Sequence, residues 1–177
     1  MRVYLVGYMS SGKSTVGTLL APHLGLHFVD MDQEFEAKYR IDIASFFQKY
    51  DEALFRRLEQ QLLHDVSNRE QTLISTGGGT PCYADNMGQM LRTGTVVYLR
   101  VSPAELCRRI SQTRKRRPLL VGMKDEVLLH YVTAQLEARS PYYTRAHHIL
   151  DIDGQTPELV AERLVSILSA SGDVHVR

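Results

Sequence analysis

The sequence predicts an α/β fold in which a parallel sheet is covered by helices on both faces. Short apolar runs at residues 3–6 and 95–101 have the length and continuity of strands that are buried on two sides. Segments of helical periodicity separate such runs, and this alternation is typical of a parallel sheet. A glycine-rich turn at residues 7–14 follows the first run, as expected of a strand–turn–helix unit.

In the first half of the chain, the strand at residues 3–6 and its turn lead into a helix. Val16, Leu20 and Leu24 share one face of this helix, and Gly25 is expected to stop it shortly after Pro22. The predicted elements that follow are a strand over residues 26–29, helical pieces over 32–69 and a strand over 72–76.

The second half repeats the alternation. Pro103 stands where proline is tolerated, in the first turn of a helix. The predicted elements are a helix over residues 85–91, a strand over 95–101, helices from 103 and over 126–138, a strand over 148–152 and a helix over 157–168. We expect residues 1–170 to form one domain and residues 171–177 to form a flexible tail.

Composition excludes several classes of protein. Apolar residues make up 44% of the 177 residues and charged residues 23%, which is typical of a globular chain. The net charge of +1 provides no bulk field for nucleic acid or a membrane surface. Two cysteines, Cys82 and Cys107, are expected to be ordinary reduced side chains. With no apolar stretch of membrane-spanning length, we expect a soluble, cytoplasmic protein.

The turn after the first strand has a specific chemistry. Residues 7–14, GYMSSGKS, fit the pattern G-x-x-x-x-G-K-[ST]. Glycines let successive N–H groups face phosphate oxygens, and the following helix adds its positive end. Lys13 supplies a charge for the β- and γ-phosphates, and Ser14 an oxygen for Mg²⁺. The pattern predicts a nucleotide site, but it does not separate a GTPase, an ATPase motor and a metabolite kinase.

Two carboxylates, Asp30 and Asp32, follow the second predicted strand. Because ligands bind beyond the carboxyl ends of strands in open α/β sheets, this pair is a candidate for a metal shell and an acceptor hydroxyl. The alternative is structural, since Asp32 before an amphipathic helix would also serve as its N-cap.

Arg56 and Glu59 lie three residues apart on a predicted helix and therefore share a face. The simplest interpretation is a surface ion pair. The glycine triplet at residues 77–79 follows an apolar strand directly. Because three consecutive glycines cost backbone entropy, they indicate a close approach of the backbone to a ligand.

For two further arginines, the local sequence provides weaker evidence of a functional role. Arg117 ends a basic run that begins at Arg114, and Pro118 indicates a packed position there, although charged runs are more often solvated loops. Arg139 is predicted at a helix end shortly before Pro141, where it would complement the helix dipole.

Taken in order, these motifs resemble the shikimate kinase family over residues 3–168. The motifs are the phosphate loop with Thr15-Val16-Gly17, Asp30-x-Asp32, Phe55-Arg56-Arg57-x-Glu59, Gly77-Gly78-Gly79, Arg117-Pro118-Leu119 and Arg139-x-Pro141-x-Tyr143. Each motif is modest by itself, but the ordered set is highly specific.

The resemblance implies a three-layer α/β/α fold with a five-stranded parallel sheet, similar to nucleoside monophosphate kinases. It implies an acceptor-binding region at about residues 32–62 and a mobile lid at about 111–124. The implied reaction transfers the γ-phosphate of ATP to the 3-hydroxyl of shikimate, with Mg²⁺ as cofactor.

The resemblance also implies roles for individual residues. Catalysis is assigned to Lys13, Asp32 and Arg117. The residues expected to bind shikimate are Asp32, Arg56, Gly77, Gly78, Gly79 and Arg139, with the two arginines on its carboxylate. The nucleotide is assigned to Gly7, Ser10, Ser11, Gly12, Lys13, Ser14, Thr15, Arg109, Arg117, Asp153 and Gln155, and the metal to Ser14 and Asp30.

Some positions depart from the family pattern. Arg40 and Asp51 stand where glycines are usual, and the run from Arg114 to Arg117 is unusually basic. The alternatives are another metabolite kinase with a phosphate loop, such as a gluconate kinase, and a non-catalytic nucleotide-binding module of the same fold. We expect a monomer that binds shikimate and ATP, without a nucleic-acid or membrane partner.

Overall fold

The computed structural model describes residues 1–113 and 124–172, in which five parallel strands form one sheet. The strands are β1 (Arg2–Val6), β2 (His27–Asp30), β3 (Thr72–Ser75), β4 (Thr95–Arg100) and β5 (His148–Asp151). Their order across the sheet is β2-β3-β1-β4-β5, and every neighbouring pair is parallel. The predicted α/β class and five-stranded parallel sheet are confirmed.

Helices cover both faces of the sheet. They are α1 (Lys13–His23), α2 (Met31–Tyr39), α3 (Ile43–Lys49), α4 (Glu52–Ser67), α5 (Asn86–Thr93), α6 (Pro103–Thr113), α7 (Asp125–Tyr143) and α8 (Pro157–Ala170). A single 3₁₀ turn, Thr80–Cys82, follows the glycine triplet. Most of the predicted lid, Arg117 included, and the tail beyond Gly172 lie outside the described residues.

The central strand β1 shows how the two faces are separated. Val3 and Leu5 belong to the core that α1, α6 and α8 cover, whereas Tyr4 and Val6 belong to the core on the opposite face. All four side chains are fully buried, and each such burial stabilises the fold by about 1.5–3 kcal/mol. The continuous apolar run in the sequence therefore reflects a strand that is covered on both sides.

The carboxyl ends of β1, β2 and β3 lie side by side at one edge. Ser75 of β3 is in register with Leu5 of β1 and with Asp30 of β2. Thr76 fixes the exit of β3, because its N–H and its hydroxyl both donate to the Leu5 carbonyl at 3.1 Å. The strands β2 and β3 lie on one side of β1, and β4 and β5 lie on the other. Open α/β sheets bind ligands where the strand order switches in this way, so this edge is the expected ligand site.

The structure corrects the predicted start of α2. Asp30, not Asp32, is the N-cap, and its carboxylate accepts from the N–H groups of Asp32 and Gln33. Asp32 therefore lies in the first turn of the helix. Because Asp30 supplies the cap, helix capping does not explain an acidic residue at position 32.

The predicted end of α7 is also wrong. The helix continues past Ala138 and through Pro141 to Tyr143. Proline removes one helical hydrogen bond, but Tyr143 is fully buried and anchors the last turn. Arg139 thus lies inside the helix and not at its end, so the interpretation that it complements the helix dipole is wrong.

Candidate active site

The phosphate loop has a backbone that glycine alone accommodates easily. Gly7 and Gly12 have φ values of 148° and 94°, and Ser10 also has a positive φ, 61°. A Cβ placed on Gly7 would lie 2.8 Å from the Leu99 carbonyl oxygen. No side chain caps the start of α1 at Gly12. Its first N–H groups and the positive end of the helix dipole therefore point toward the space that an anion would occupy.

Lys13 lies across this loop. Its ammonium group donates to the carbonyl oxygens of Gly7 and Tyr8 at 2.9 Å each, and to Ser11 Oγ at 3.4 Å. The residue is 8% exposed, so the charge is largely removed from bulk water. A charge in such a position interacts more strongly with phosphate than a solvated one does.

Ser14 and Asp30 join the start of α1 to the end of β2. The Ser14 hydroxyl donates to Asp30 Oδ2 at 2.5 Å and lies 3.4 Å from Ser75 Oγ. Hydroxyl and carboxylate oxygens are the ligands that Mg²⁺ prefers, usually together with water and substrate phosphates. This donor set therefore fits the cation that the sequence predicts.

A cleft of about 410 Å³ continues from the phosphate loop toward α8. Arg109 borders it and donates from Nη1 to the Ser11 carbonyl at 3.2 Å. The other lining residues come from the phosphate loop, α1, α6, the segment after β5 and the start of α8: Ser10, Ser11, Gly12, Thr15, Val16, Glu105, Arg108, Ile152, Gly154, Gln155, Thr156, Pro157 and Val160. The predicted nucleotide residues Ser10, Ser11, Gly12, Thr15, Arg109 and Gln155 thus line one cavity.

Glu105 holds two arginines at this cleft. Its carboxylate accepts from Arg108 and from Arg109 at 2.7 Å, and its side chain is 15% exposed. The hydrogen bond from Arg108, followed by that from Arg109, lowers the pKa of Glu105 from 4.5 to about 2 against the opposing effect of burial. The charged form is therefore stabilised by folding.

The pairing of Glu105 with the two arginines should make the stability of the protein depend on pH. Because the folded pKa is depressed, its contribution is present above the unfolded pKa of 4.5 and is lost as pH falls toward 2. We expect Glu105→Gln to lower the free energy of unfolding by about 1–2 kcal/mol at neutral pH, since Arg108 is partly solvated. Urea unfolding of both proteins across this pH window should show the difference shrinking. Glu162→Gln, at an exposed carboxylate of α8, is the control, and a difference independent of pH would contradict the assignment.

Asp153 and Gln155 follow β5. The Asp153 carboxylate accepts from the Ser102 N–H at 2.9 Å. Gln155 donates to the Asp151 carbonyl at 2.8 Å and accepts from Arg163 at 2.5 Å. These bonds order the loop that borders the cleft.

On the other side of the phosphate loop, the glycine triplet is surrounded by the predicted acceptor residues. A Cβ on Gly77 would lie 3.4 Å from Asp32 Oδ1, and one on Gly79 would lie 2.5 Å from Arg56 Nη2. A Cβ on Gly78 would lie 3.3 Å from Arg139 Nη1 and 3.2 Å from the Met9 nitrogen. Glycines at these positions therefore allow four other chain segments to approach the triplet closely; the predicted approach to a ligand stays a prediction.

Arg56 and Glu59 do not form a surface ion pair. Their side chains are 18% and 4% exposed, and Arg56 Nη1 donates to Glu59 Oε2 at 2.8 Å. The Thr80 hydroxyl donates to Glu59 Oε1 at 2.6 Å, and Glu52 accepts from the other side of Arg56. The Arg56 guanidinium is thus oriented by two carboxylates beside the triplet.

Arg139 and Tyr143 lie one turn apart on α7, and both reach the triplet. The Arg139 guanidinium lies over the Tyr8 ring, with its carbon 5.1 Å from the ring centroid, and donates to Gln135 Oε1 at 3.1 Å. The Tyr143 hydroxyl donates to the Gly78 carbonyl, and burial raises the pKa of the Tyr143 phenol. α7 therefore fixes both an arginine and the glycine backbone.

Several of these contacts were not predicted from the sequence, among them Tyr8 with Arg139, Thr80 with Glu59, and Glu105 with Arg109. The last is an i, i+4 pair on a predicted helix and could have been found from spacing. The other two join residues far apart in sequence and carry no local signal.

Within residues 1–113 and 124–172, none of the helices combines the length and the hydrophobicity of a membrane span. No group of three or more His, Cys, Asp or Glu side chains in these ranges is arranged to hold a metal ion. A cation at Ser14 and Asp30 would thus depend on further oxygens from a nucleotide or water.

Comparison with known proteins points to one family. The sequence model described as shikimate kinase matches residues 9–169. A shikimate kinase of Parabacteroides distasonis is 43% identical over 89% of this chain and 91% of its own length, and one of Bacteroides fragilis is 39% identical over 99% and 98%.

Solved structures agree with these sequence matches. The crystal structure of shikimate kinase from Bacteroides thetaiotaomicron has a TM-score of 0.89 and 39% identity, covering 96% of this chain and 98% of that one. Shikimate kinase from Acinetobacter baumannii, solved in complex with shikimate, has a TM-score of 0.84 and 34% identity, covering 96% and 93%.

Proposed function

Since this chain belongs to the shikimate kinase family, we propose that it transfers the γ-phosphoryl group of ATP to the 3-hydroxyl of shikimate, giving shikimate 3-phosphate and ADP. The observation that carries the proposal is the position of the glycine triplet. It lies between the phosphate loop, through Met9, and two arginines suited to a carboxylate, Arg56 and Arg139. A phosphate donor and an anionic acceptor would therefore meet at one edge of the sheet.

On the donor side, the loop amides and Lys13 would hold the β- and γ-phosphates of ATP. The burial of Lys13 and its contacts with loop carbonyls support this role. Ser10, Ser11, Gly12 and Thr15 would contact the nucleotide as lining residues of the cleft. Arg109, Asp153 and Gln155 would lie near the base.

Ser14 would ligate Mg²⁺ directly, and Asp30 would act behind it as an outer-shell ligand. When bound, Mg²⁺ would supply positive charge that offsets the negative charge of the phosphates. The hydrogen bond from Ser14 to Asp30 supports this pairing, because outer-shell carboxylates orient the groups that ligate a metal.

On the acceptor side, Arg56 and Arg139 would bind the shikimate carboxylate, because planar guanidinium groups match its two oxygens. Gly78 and Gly79 would contribute backbone N–H groups, and Gly77 would let the chain pass Glu59 and Asp32. Asp32 would orient the 3-hydroxyl and accept its proton.

In the transfer itself, the acceptor oxygen forms a bond to the γ-phosphorus while the bond to the β,γ-bridging oxygen breaks. The electron pair of that bond goes to ADP, and the hydroxyl proton goes to Asp32. Lys13 stabilises the negative charge that develops on the phosphoryl oxygens. Arg117, which lies outside the described residues, is proposed for the same task from the family motif alone.

The rival functions make different predictions in one assay. A gluconate kinase would share the phosphate loop but not the set of Arg56 and Arg139 with Asp32, and a non-catalytic module would release no ADP. ADP release should be measured with ATP, Mg²⁺ and either shikimate, gluconate or a nucleoside monophosphate. Clear preference for shikimate is expected, and preference for another acceptor would overturn the proposal.

We also propose that the protein acts as a cytoplasmic monomer without a nucleic-acid or membrane partner. The net charge of +1 supports the absence of such partners, and residues of a single chain supply both the donor and the acceptor side of the proposed site.

Arg139→Lys tests the carboxylate site. The substitution keeps the charge but removes the planar fork, so we expect KM for shikimate to rise about tenfold or more while KM for ATP changes little. Steady-state kinetics with each substrate varied in turn would measure both constants. Arg69→Lys, at an exposed pair with Glu34, controls for the exchange itself. An equal rise in both KM values would argue against a role confined to shikimate.

A further inference from the structure

Tyr8 belongs to the phosphate loop by sequence, but its ring faces the acceptor side. The Arg139 guanidinium carbon lies 5.1 Å from the ring centroid, within the range of a cation–π interaction. We propose that Tyr8 is a positioning residue for shikimate: its ring sets the plane of the Arg139 guanidinium that receives the carboxylate. This inference rests on the proposed function.

The ring is itself held firmly. Tyr8 is 2% exposed and belongs to the hydrophobic core that includes Val3, Leu5 and Val16. Its backbone is fixed as well, because its carbonyl oxygen accepts from the Lys13 ammonium at 2.9 Å. A ring that is packed from behind provides a rigid surface on which a half-buried guanidinium can rest.

Among the described residues, Arg139 also interacts with Gln135, Tyr143 and Gly78. Gln135 accepts from Nη2 at 3.1 Å, which fixes one edge of the guanidinium group. Nη1 lies beside Gly78, where a Cβ would be 3.3 Å away. Hydrogen bonds at the edge of a guanidinium group still allow its plane to tilt, whereas stacking on a ring restricts that tilt. An arginine that is already oriented loses less conformational entropy when it binds a carboxylate.

A role in shikimate binding is unexpected for a residue of the phosphate loop. A substitution in a phosphate loop ordinarily weakens nucleotide binding, because the loop surrounds the phosphates. If the Tyr8 ring orients Arg139, loss of the ring weakens the binding of shikimate instead. KM for shikimate should therefore change more than KM for ATP, which a general disturbance of the loop would not produce.

The experiment compares Tyr8→Leu and Tyr8→Met, which remove the ring, with Tyr8→Phe, which keeps it. We expect the first two to raise KM for shikimate about fivefold, with a smaller change in KM for ATP, and Tyr8→Phe to stay near wild type. Calorimetric titration with shikimate measures the same affinity without turnover, and thermal unfolding identifies a variant that does not fold. Having two ring-free variants keeps the test open if one fails to fold.

A double-mutant cycle completes the test. In an Arg139→Lys background, removing the ring should have little further effect on the affinity for shikimate, because the planar group that it orients is gone. Any one of three results would overturn the role of the ring: equal changes in both KM values, additive effects in the cycle, or a Tyr8→Phe variant as impaired as Tyr8→Leu. If the wild-type protein shows no shikimate-dependent ADP release, the proposed function itself fails, which is a separate result.

Discussion

Lys13→Met is expected to reduce kcat by about 10²–10³-fold or more while the protein remains folded. The ammonium group is largely shielded from water and lies on the phosphate loop, where removal of one preorganised charge typically has an effect of this size. Methionine is unbranched like lysine and only one atom shorter, so it keeps most of the apolar contacts of the side chain. Because the charge acts on oxygens that become more negative during transfer, kcat and kcat/KM should fall together.

The control for Lys13→Met is another lysine that forms hydrogen bonds in the structure. Lys38 pairs with Asp65 at 2.6 Å on the surface, and Lys38→Met should leave kcat unchanged. Thermal unfolding of both variants tests whether the fold survives, since the Gly7 and Tyr8 carbonyls lose a donor in Lys13→Met. Near-normal kcat in a folded Lys13→Met protein would remove the residue from catalysis.

The donor side of this molecule was predictable because its signals are local. The strand, the glycine turn and the first helix adjoin one another in sequence, and the required positive φ values fall on the glycines of the pattern and on Ser10. The order of motifs then supplied the acceptor residues. Asp32, Arg56, Arg139 and the glycine triplet do meet in the structure, although they are spread over more than half of the chain.

The remaining features depend on packing that no local pattern records. An Arg–Glu pair three residues apart is usually solvated, whereas Glu59 is buried and accepts a second hydrogen bond from Thr80, 21 residues away in sequence. α7 was predicted to end before Pro141, because proline disfavours helix continuation. The buried Tyr143 and its bond to Gly78 extend it. For the same reason, the sequence gives no indication that Tyr8 contacts Arg139.

Asp32→Asn is expected to lower kcat by about 10²–10⁴-fold, the range for loss of a positioned general base. Asparagine has the same size and can still accept a hydrogen bond from the acceptor hydroxyl, but it cannot take the proton. Orientation alone would therefore survive the substitution, whereas proton acceptance would not. Asp32 lies in the first turn of α2, so the loss of its charge should cost about 0.3–1 kcal/mol through the helix dipole, which is small beside the stability of a folded domain.

Asp30→Asn is the matched comparison, two residues away in the same motif. Because Asp30 accepts from Ser14, its substitution should raise the Mg²⁺ concentration needed for half-maximal activity and leave KM for shikimate nearly unchanged. Saturating Mg²⁺ should then restore much of the activity of Asp30→Asn but none of that of Asp32→Asn. Titration of both variants with Mg²⁺ at saturating ATP and shikimate separates the two roles. If Asp32→Asn keeps near-normal kcat, Asp32 only orients the hydroxyl. If added Mg²⁺ restores both variants equally, the two carboxylates act on the metal together and neither is the base.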